Sequence, residues 1–320
     1  MKVLFCGTPE FAVPTLEAVQ RAGHTVLAVV TQPDRPRGRG MKLAAPPVKV
    51  AAEKLGLTVE QPEKLRGQAG RKLLESYRPE VVVIVGYGQI IPADLLTLPP
   101  QGWINLHASL LPKYRGAAPV QWALIRGETR TGVTTMQIDQ GMDTGPVLLQ
   151  QEVSIGPEDT SVTLAERLAQ IGADLMVRTL AGLAQGSLAP HPQDHSQAST
   201  APLLKKEDGR VSWSWTAEEI YNRIRGLLPW PGAYTGFRGQ VLRLWWARLG
   251  AAPAGVVTTP APGTVLVEKH ELYVACSSDA TGEGTWLRLE EVQLAGRKRV
   301  AAADFINGLH VKSGEKLETT

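Results

Sequence analysis

Cysteine is scarce: the 320 residues include two, Cys6 in the first candidate strand and Cys276 far along the chain. Two isolated thiols exclude a disulfide framework and a CxxC metal pair, and they fit a reducing cytoplasm. Long hydrophobic runs are missing too. No stretch approaches the roughly 18 apolar residues of a membrane span, and the start MKVLFCGTPEF has one Lys and an apolar run that ends at Gly7, short of a signal segment. A soluble protein is expected. Neither charge is in real excess, since 34 basic against 31 acidic residues give +3 with histidine neutral. Several motifs are absent: GxxxxGK[ST], GxSxG, HExxH, and a GxGxxG after the first strand, where the chain reads Gly7-Thr8-Pro9-Glu10. Triphosphatase, serine hydrolase and zinc protease readings thereby lose their support. Of the six histidines only His191 and His195 are close in sequence, and without a Cys or third His nearby they make no metal site.

What the chain does have is a core and an alternation. At 43% hydrophobic and 20% charged it can bury one, and at about 150 residues per domain the length predicts two domains. Short β-branched runs at 2–6, 25–31 and 80–85 are separated by helical periods near 10–22, 46–56 and 64–77. Strands buried on both faces read this way, and the natural class is an α/β, doubly wound, mostly parallel Rossmann-like domain. Further strands are predicted at 103–107, 132–138 and 146–153. A helix over 160–184 has Thr160 or Ser161 as its N-cap. Residues 186–204 are polar, Pro-containing and aperiodic, which reads as a linker. Beyond it a helix near 216–227 precedes strand candidates at 233–238, 241–248, 263–268, 271–276 and 285–293, the spacing of a small antiparallel, OB-like barrel. The division is therefore 1–189, a linker at 190–205, and 206–320.

The charge is unevenly placed. Neither half is basic overall, with 19 basic and 17 acidic residues to position 190 and 15 and 14 beyond it. Yet Tyr221 through Val267 contains no Asp or Glu, while Arg223, Arg225, Arg238, Arg243 and Arg248 fall there among Trp230, Tyr234, Phe237, Trp245 and Trp246. Guanidinium forks suit phosphates and flat rings suit unpaired bases, so this is a candidate nucleic-acid face. The alternative is that the aromatics are barrel core, one of the adjacent Trp245 and Trp246 pointing inward by strand alternation. A second patch, TQPDRPRGRGMKL at 31–43, sets Arg35, Arg37, Arg39 and Lys42 against Asp34, with two Pro and two Gly that argue against helix or strand. It is either a solvated surface loop or a functional one.

One segment is dense in groups that do chemistry, Asn105 to Gly116. In a strand Asn105 and His107 share a face while Ile104 and Leu106 take the other. A polar face at the carboxyl end of a parallel strand is where such sheets put ligands. Pro119 opens the next helix and Gly127 can end it. An imidazole that works needs a carboxylate to orient it, and Asp143, in the turn Gly141-Met142-Asp143-Thr144-Gly145, offers one. Taken singly, each residue is equally a structural group: Asp143 as turn chemistry, His107 as a satisfied strand-end histidine.

Together these segments resemble the methionyl-tRNA formyltransferase family of 10-formyltetrahydrofolate-dependent enzymes. The likeness lies in GTPEFAVP at the start, TQPDRPRGRG, VVVIVGYGQIIP at 81–92, INLHASLLPKYRGAAPVQWA at 104–123, the GMDTG turn and LLPWPGAY at 227–234, and it covers nearly the whole chain. The NxHxSLLPxxRG and MDTG pair resembles the signature of enzymes that handle this formyl donor. The basic loop and the PWPGAY-bearing second domain point to the tRNA acceptor. The resemblance implies transfer of a formyl group from 10-formyltetrahydrofolate to the amino group of methionine on initiator methionyl-tRNA, in the cytoplasm, by a monomer without metal. It implies Asn105, His107 and Asp143 as the transfer site, Ser109, Leu110, Leu111 and Pro112 as the folate loop, and Arg35, Arg37, Arg39 and Lys42 as the acceptor-end loop, with Arg39 matching its important arginine. Arg223, Arg238 and Arg243 are further candidates for tRNA contact. Met41 departs from the family, where a second Lys is common.

The mechanism so implied is attack of the α-amine on the formyl carbon through a tetrahedral oxyanion held by Asn105 and protonated His107, with N10 of the folate leaving. Asp143 orients the imidazole, and the first proton acceptor is left open. Rival readings are a formyltransferase acting on an amino sugar nucleotide, a formyltetrahydrofolate hydrolase, a dinucleotide oxidoreductase and a non-catalytic RNA-binding protein.

Overall fold

β-Branched residues fill the apolar runs of the first half, and those runs become strands. The computed structural model describes residues 1–37, 42–254, 256, 259–282 and 284–318, the side chains of Arg37 and Lys42 excepted. The strands of the first half are β1 (Lys2–Gly7), β2 (Thr25–Val30), β3 (Arg35–Arg37), β4 (Lys42–Ala44), β5 (Val59–Glu60), β6 (Val81–Val85), β7 (Trp103–His107), β8 (Arg130–Gln137) and β9 (Val147–Ser154). The helices are α1 (Val13–Arg21), α2 (Pro47–Lys54), α3 (Gln68–Tyr77), α4 (Ala93–Leu96), α5 (Pro119–Ile125) and α6 (Ser161–Ala184). Pro47 and Pro119 open α2 and α5, where a missing N–H costs nothing. Thr160 caps α6 by accepting from the Thr163 N–H at 3.2 Å.

Seven strands form one sheet in the order β5-β2-β1-β6-β7-β8-β9. Its first five members are parallel, and β8 is antiparallel to both neighbours. The result is a mostly parallel Rossmann-like sheet whose winding reverses at β1, between β2 and β6. Crevices at the carboxyl ends of such strands are where ligands bind. Every residue of β6 is buried, as its unbroken apolar sequence requires.

The basic segment corrects one expectation. Pro36 does not abolish strand here: β3 and β4 pair antiparallel, Arg35 with Ala44, Pro36 with Leu43 and Arg37 with Lys42, while Gly38 and Gly40 lie outside the described residues. A two-stranded ribbon leaves one edge of each strand unpaired, so Pro36 can sit where no donor is needed.

Two compact units emerge: Met1–Pro119 with Arg130–Ser154 and Ala165–Pro202, and Val120–Thr129 with Ile155–Leu164 and the chain from Leu203 onward. The polar interval belongs to the first unit as far as Pro202. His191 and Val147 exchange both backbone hydrogen bonds there, at 2.8 Å each.

The second unit adds α7 (Ala217–Gly226), β10 (Ala233–Phe237), β11 (Gln240–Gly250), β12 (Val265–Glu268), β13 (Glu271–Ser278), β14 (Gly284–Leu294), β15 (Val300–Ala301) and α8 (Ala302–Leu309). A reciprocal capping box between Thr216 and Glu219 starts α7. The antiparallel order is β10-β11-β14-β13-β12. β10 and β12 meet through a third segment: Gly236 exchanges backbone bonds with Glu318, at 2.8 and 2.9 Å, while Val265 donates to the Glu315 carbonyl and Leu317 to that of Gly263, each at 2.8 Å. The sheet thus closes like a barrel around a core that includes Phe237, Leu244, Val274, Leu287 and Phe305. Among the described residues, no helix is long and apolar enough to cross a membrane.

Both thiols are buried and unbridged. Burial pushes Cys276 up to about 12 and Cys6 further. A raised pKa keeps the thiol protonated, and the thiolate is the reactive form. A chromogenic disulfide reagent at pH 8 is therefore expected to titrate neither cysteine in the native protein and both after unfolding. Fast native reaction would mean that one of them is exposed.

Candidate active site

Asn105 and His107 end β7 on the face opposite Ile104 and Leu106. The latter pair is buried, and Leu106 fills space at Gly172 of α6, where a Cβ would lie 2.7 Å from it. Asn105 is half-buried and its side-chain amide has no hydrogen-bond partner among the described residues. His107 is 6% exposed, and its Nε2 lies 2.9 Å from the Tyr114 carbonyl oxygen. A carbonyl only accepts, so Nε2 carries a proton and donates it, leaving Nδ1 as the ring nitrogen not committed to that bond. Nδ1 faces Asp143 Oδ2 at 3.7 Å, an ion-pair separation too long for a hydrogen bond. That same oxygen accepts from the Gly116 N–H at 2.8 Å. The ring is thus held by Tyr114, and the carboxylate stands before its other nitrogen. Tyr114 and Asp143 both take left-handed backbone, at φ 60° and 54°, which seldom suits a residue with a side chain. His107 and Asp143 are thereby brought together, and Asn105 shares the strand face of His107.

The proposed folate loop follows β7 directly. Ser109 is fully buried and donates through its hydroxyl to the Lys113 carbonyl at 2.6 Å, closing a tight bend, while Leu111 is buried as well. Leu110 and Pro112 remain partly exposed. Thr134 of β8 holds the bend from beneath: its Oγ1 donates to Ser109 O at 2.6 Å and accepts from Leu111 N at 3.2 Å and Gln150 Nε2 at 3.0 Å. Gln150 also donates to Leu111 O at 2.8 Å. Sequence reasoning passed over Thr134 and Gln150. The available signal was a hydroxyl in a strand otherwise destined for burial. It missed the Tyr114 carbonyl too, since a backbone acceptor leaves no trace in composition.

Of the loop arginines, Arg35 pairs with Glu63 at 3.0 Å with both side chains exposed, a contact worth little. Arg37 and Lys42 lie opposite each other in the β3–β4 ribbon, and Arg39 lies outside the described residues. The ribbon is rooted at Asp34, which accepts from Gln61 at 2.8 Å and from Lys49 at 2.8 Å. Gln61 and Lys49 hold its carboxyl below the usual carboxylate range.

In the second unit the arginines are less free than their acid-free sequence implied. Arg223 donates to the Asp208 carbonyl at 2.6 Å and lies 4.4 Å over the Trp215 ring. Arg238, at the β10–β11 turn, makes two 2.7 Å bonds to Glu315. Arg248 pairs with Glu158 and Glu290. Glu315, Glu158 and Glu290 come from outside the acid-free run, so Arg238 and Arg248 are paired after all, while Arg223 is bound to a backbone carbonyl rather than to a carboxylate. Arg243 keeps its charge unpaired by any acid among the described residues: it donates to Pro231 O at 2.9 Å and lies 5.2 Å from the Trp245 ring centre. Of the adjacent pair, Trp246 meets the buried Tyr221 ring edge-on, centroids 5.9 Å apart. The β11 register shifts at Trp246, breaking the alternation, and both indoles are half-buried.

A Rossmann-like sheet with this site at the end of one strand agrees with what similarity shows. Residues 1–180 match the family described as formyl transferase, residues 203–310 match the formyl transferase C-terminal domain, and the chain belongs to the formyl transferase family. More particularly, it is 56% identical over 317 residues, 99% of this chain and 98% of the relative, to the methionyl-tRNA formyltransferase of Solibacter usitatus (strain Ellin6076). It is 46% identical over 318 residues, 99% and 98% of the two chains, to the methionyl-tRNA formyltransferase of Geobacter metallireducens. Among solved structures, an N-formyltransferase from Helicobacter canadensis, in complex with folinic acid and dTDP-3-aminofucose, shares the fold with TM-score 0.65 at 17% identity, covering 90% of this chain and 98% of that one. HypX from Aquifex aeolicus with tetrahydrofolic acid does so with TM-score 0.62 at 16% identity, covering 98% and 48%.

Thr134→Val keeps the shape but orphans the buried partners at Ser109, Leu111 and Gln150. It is expected to destabilise the protein by about 1–3 kcal/mol in urea unfolding and to raise the KM for the folate donor. An unchanged unfolding midpoint would show that the network carries no net stability.

Proposed function

We propose that this formyl transferase moves the formyl group of 10-formyltetrahydrofolate onto the free α-amine of methionine carried by initiator tRNA. The observation that carries the chemistry is the Asn105 amide, without a hydrogen-bond partner among the described residues, on the strand face of His107, a ring whose Nε2 is already committed to Tyr114 O. The acceptor is supported by the near full-length likeness to methionyl-tRNA formyltransferases. Residues 1–189, with the interval as far as Pro202 packed into the same unit, handle the donor, and residues 206–320 grip the acceptor. The enzyme acts as a cytoplasmic monomer.

The donor supplies an activated formyl carbon with a nitrogen leaving group. A free amide at a strand end and a bend with two half-exposed apolar side chains fit it: Asn105 reaches the formyl oxygen, and the backbone of Ser109 to Pro112 with the edges of Leu110 and Pro112 receives the folate. The Asn105 N–H donates to that oxygen as negative charge gathers on it. His107 has Nδ1 alone available, so Nδ1 donates to the same oxygen or takes and returns the proton moving from amine to leaving nitrogen. Asp143, at 3.7 Å, balances the positive ring whenever Nδ1 is protonated. Arg35, Arg37, Arg39 and Lys42 engage phosphates at the acceptor end, and Arg243 with half-exposed Trp230 adds a guanidinium and a stacking surface in the second unit.

Loss of one oxyanion donor typically lowers kcat about 10²–10³-fold, so Asn105→Ala should reduce formyl transfer to methionyl-tRNA by that order. Asp143→Asn should also be severely impaired, and near wild-type turnover in either variant would move the chemistry elsewhere. Removing Arg37, Arg39 and Lys42 together should flatten the dependence of log K for tRNA on log salt by about 2. An unchanged slope would take the ribbon out of the tRNA contact. An amino sugar nucleotide tested as acceptor in the same assay separates the nearest rival reading.

A further inference from the structure

The interval between the two matched stretches, residues 181–202, is polar and sends one side chain into the site. We propose that Gln193 is a positioning residue for Asp143, an inference that rests on reading Asn105, His107 and Asp143 as the transfer site. Gln193 is 8% exposed. Its Nε2 donates to the Asp143 carbonyl at 2.9 Å and to the Gly145 carbonyl at 2.7 Å. Its Oε1 accepts from Arg115 Nη2 at 2.7 Å and Nε at 3.2 Å. Both donors and the acceptor oxygen of one primary amide are thus used, a set that neither a carboxylate nor an apolar side chain of similar size reproduces.

The contacts close a ring around the carboxylate. Asp143 Oδ2 accepts from Gly116 N, Arg115 precedes Gly116 in the chain, and the Arg115 guanidinium returns through Gln193 to the Asp143 backbone. The turn needs such a hold, because Asp143 is in left-handed backbone and Gly145 is pressed so closely on the end of β8 that a Cβ would clash with Gln137 O. Residues further along the same interval support the other half of the site. Ser199 Oγ accepts from the Tyr114 N–H at 2.9 Å, and Ala201 N donates to Arg115 O at 2.7 Å. Gly116 must be glycine for this, since it has φ 120° and a Cβ would approach Ala201 O to 2.6 Å. One stretch therefore holds both the residue that orients His107 and the turn that presents Asp143.

The test is a double-mutant cycle in the full chain, using 10-formyltetrahydrofolate and methionyl-tRNA under single-turnover and steady-state conditions. Gln193→Ala should lower kcat about 10- to 100-fold, the scale of a misplaced catalytic group, with both KM values within about threefold of wild type. Gln193→Glu keeps the volume and the Arg115 contact but loses both donors, and should lose as much, which also covers the case in which the alanine variant folds poorly. In the Asp143→Asn background, Gln193→Ala should cost less than about threefold further, because its effect passes through the carboxylate already removed. Equal fold-losses in the two backgrounds, or a Gln193→Glu variant with wild-type kcat, would overturn the proposal. Failure of the underlying reading looks different: Asp143→Asn itself would stay active.

Discussion

Much of the site depends on the bond from His107 Nε2–H to the Tyr114 carbonyl. It settles which imidazole nitrogen is committed and which is free, and so which atom faces the carboxylate. For the carbonyl to point at the ring the chain must turn at Tyr114 with positive φ, and that bend is closed by the Ser109 hydroxyl on Lys113 O. Thr134 and Gln150 support it from the sheet, and Ser199 and Ala201 brace it from the interval beyond α6. A side chain positioned by this many neighbours needs little reorganisation at the moment of reaction, which is the condition under which fixed dipoles lower a barrier.

Charge illustrates how far a local sequence count can stray from a local field. The stretch from Tyr221 through Val267 contains no acid. In the folded unit Glu158, Glu290 and Glu315 come to its arginines from outside that stretch. Antiparallel pairing causes this, since cross-strand neighbours such as Arg248 and Arg288 share Glu290 although forty residues separate them. Arg243, stacked near Trp245, has no acid partner among the described residues, and Arg223 and Arg225 are bound to backbone carbonyls instead of carboxylates.

Elements with strong period or turn chemistry were legible in advance: β6 from VVVIV, α5 from Pro119, and α7 as a helix near 216–227. The strands of the second unit fall within a few residues of their expected positions because turn residues punctuate them. The β3–β4 ribbon, the bulge at Trp246, β15 and α8 were not legible. Each owes its form to a partner elsewhere: a short ribbon accepts prolines that a central strand would reject, and a bulge answers to the register of β14. In the site, alternation put Asn105 and His107 on one face, and a turn between glycines offered Asp143. Arg115 was visible only as part of a motif, and Gln193 looked like any polar residue of a linker.

By itself, then, the sequence determined the alternating α/β half, the small β-rich half and the strand face on which Asn105 and His107 stand, because periodicity and turn chemistry act over a few residues. Tertiary structure alone decided that Tyr114 holds the ring, that Gly116 and Gln193 hold Asp143, and that acids from outside the acid-free stretch pair with its Arg238 and Arg248. Those contacts join residues up to about ninety positions apart in the chain, and hydrogen bonds and ion pairs depend on distance in space, which the order of residues does not record.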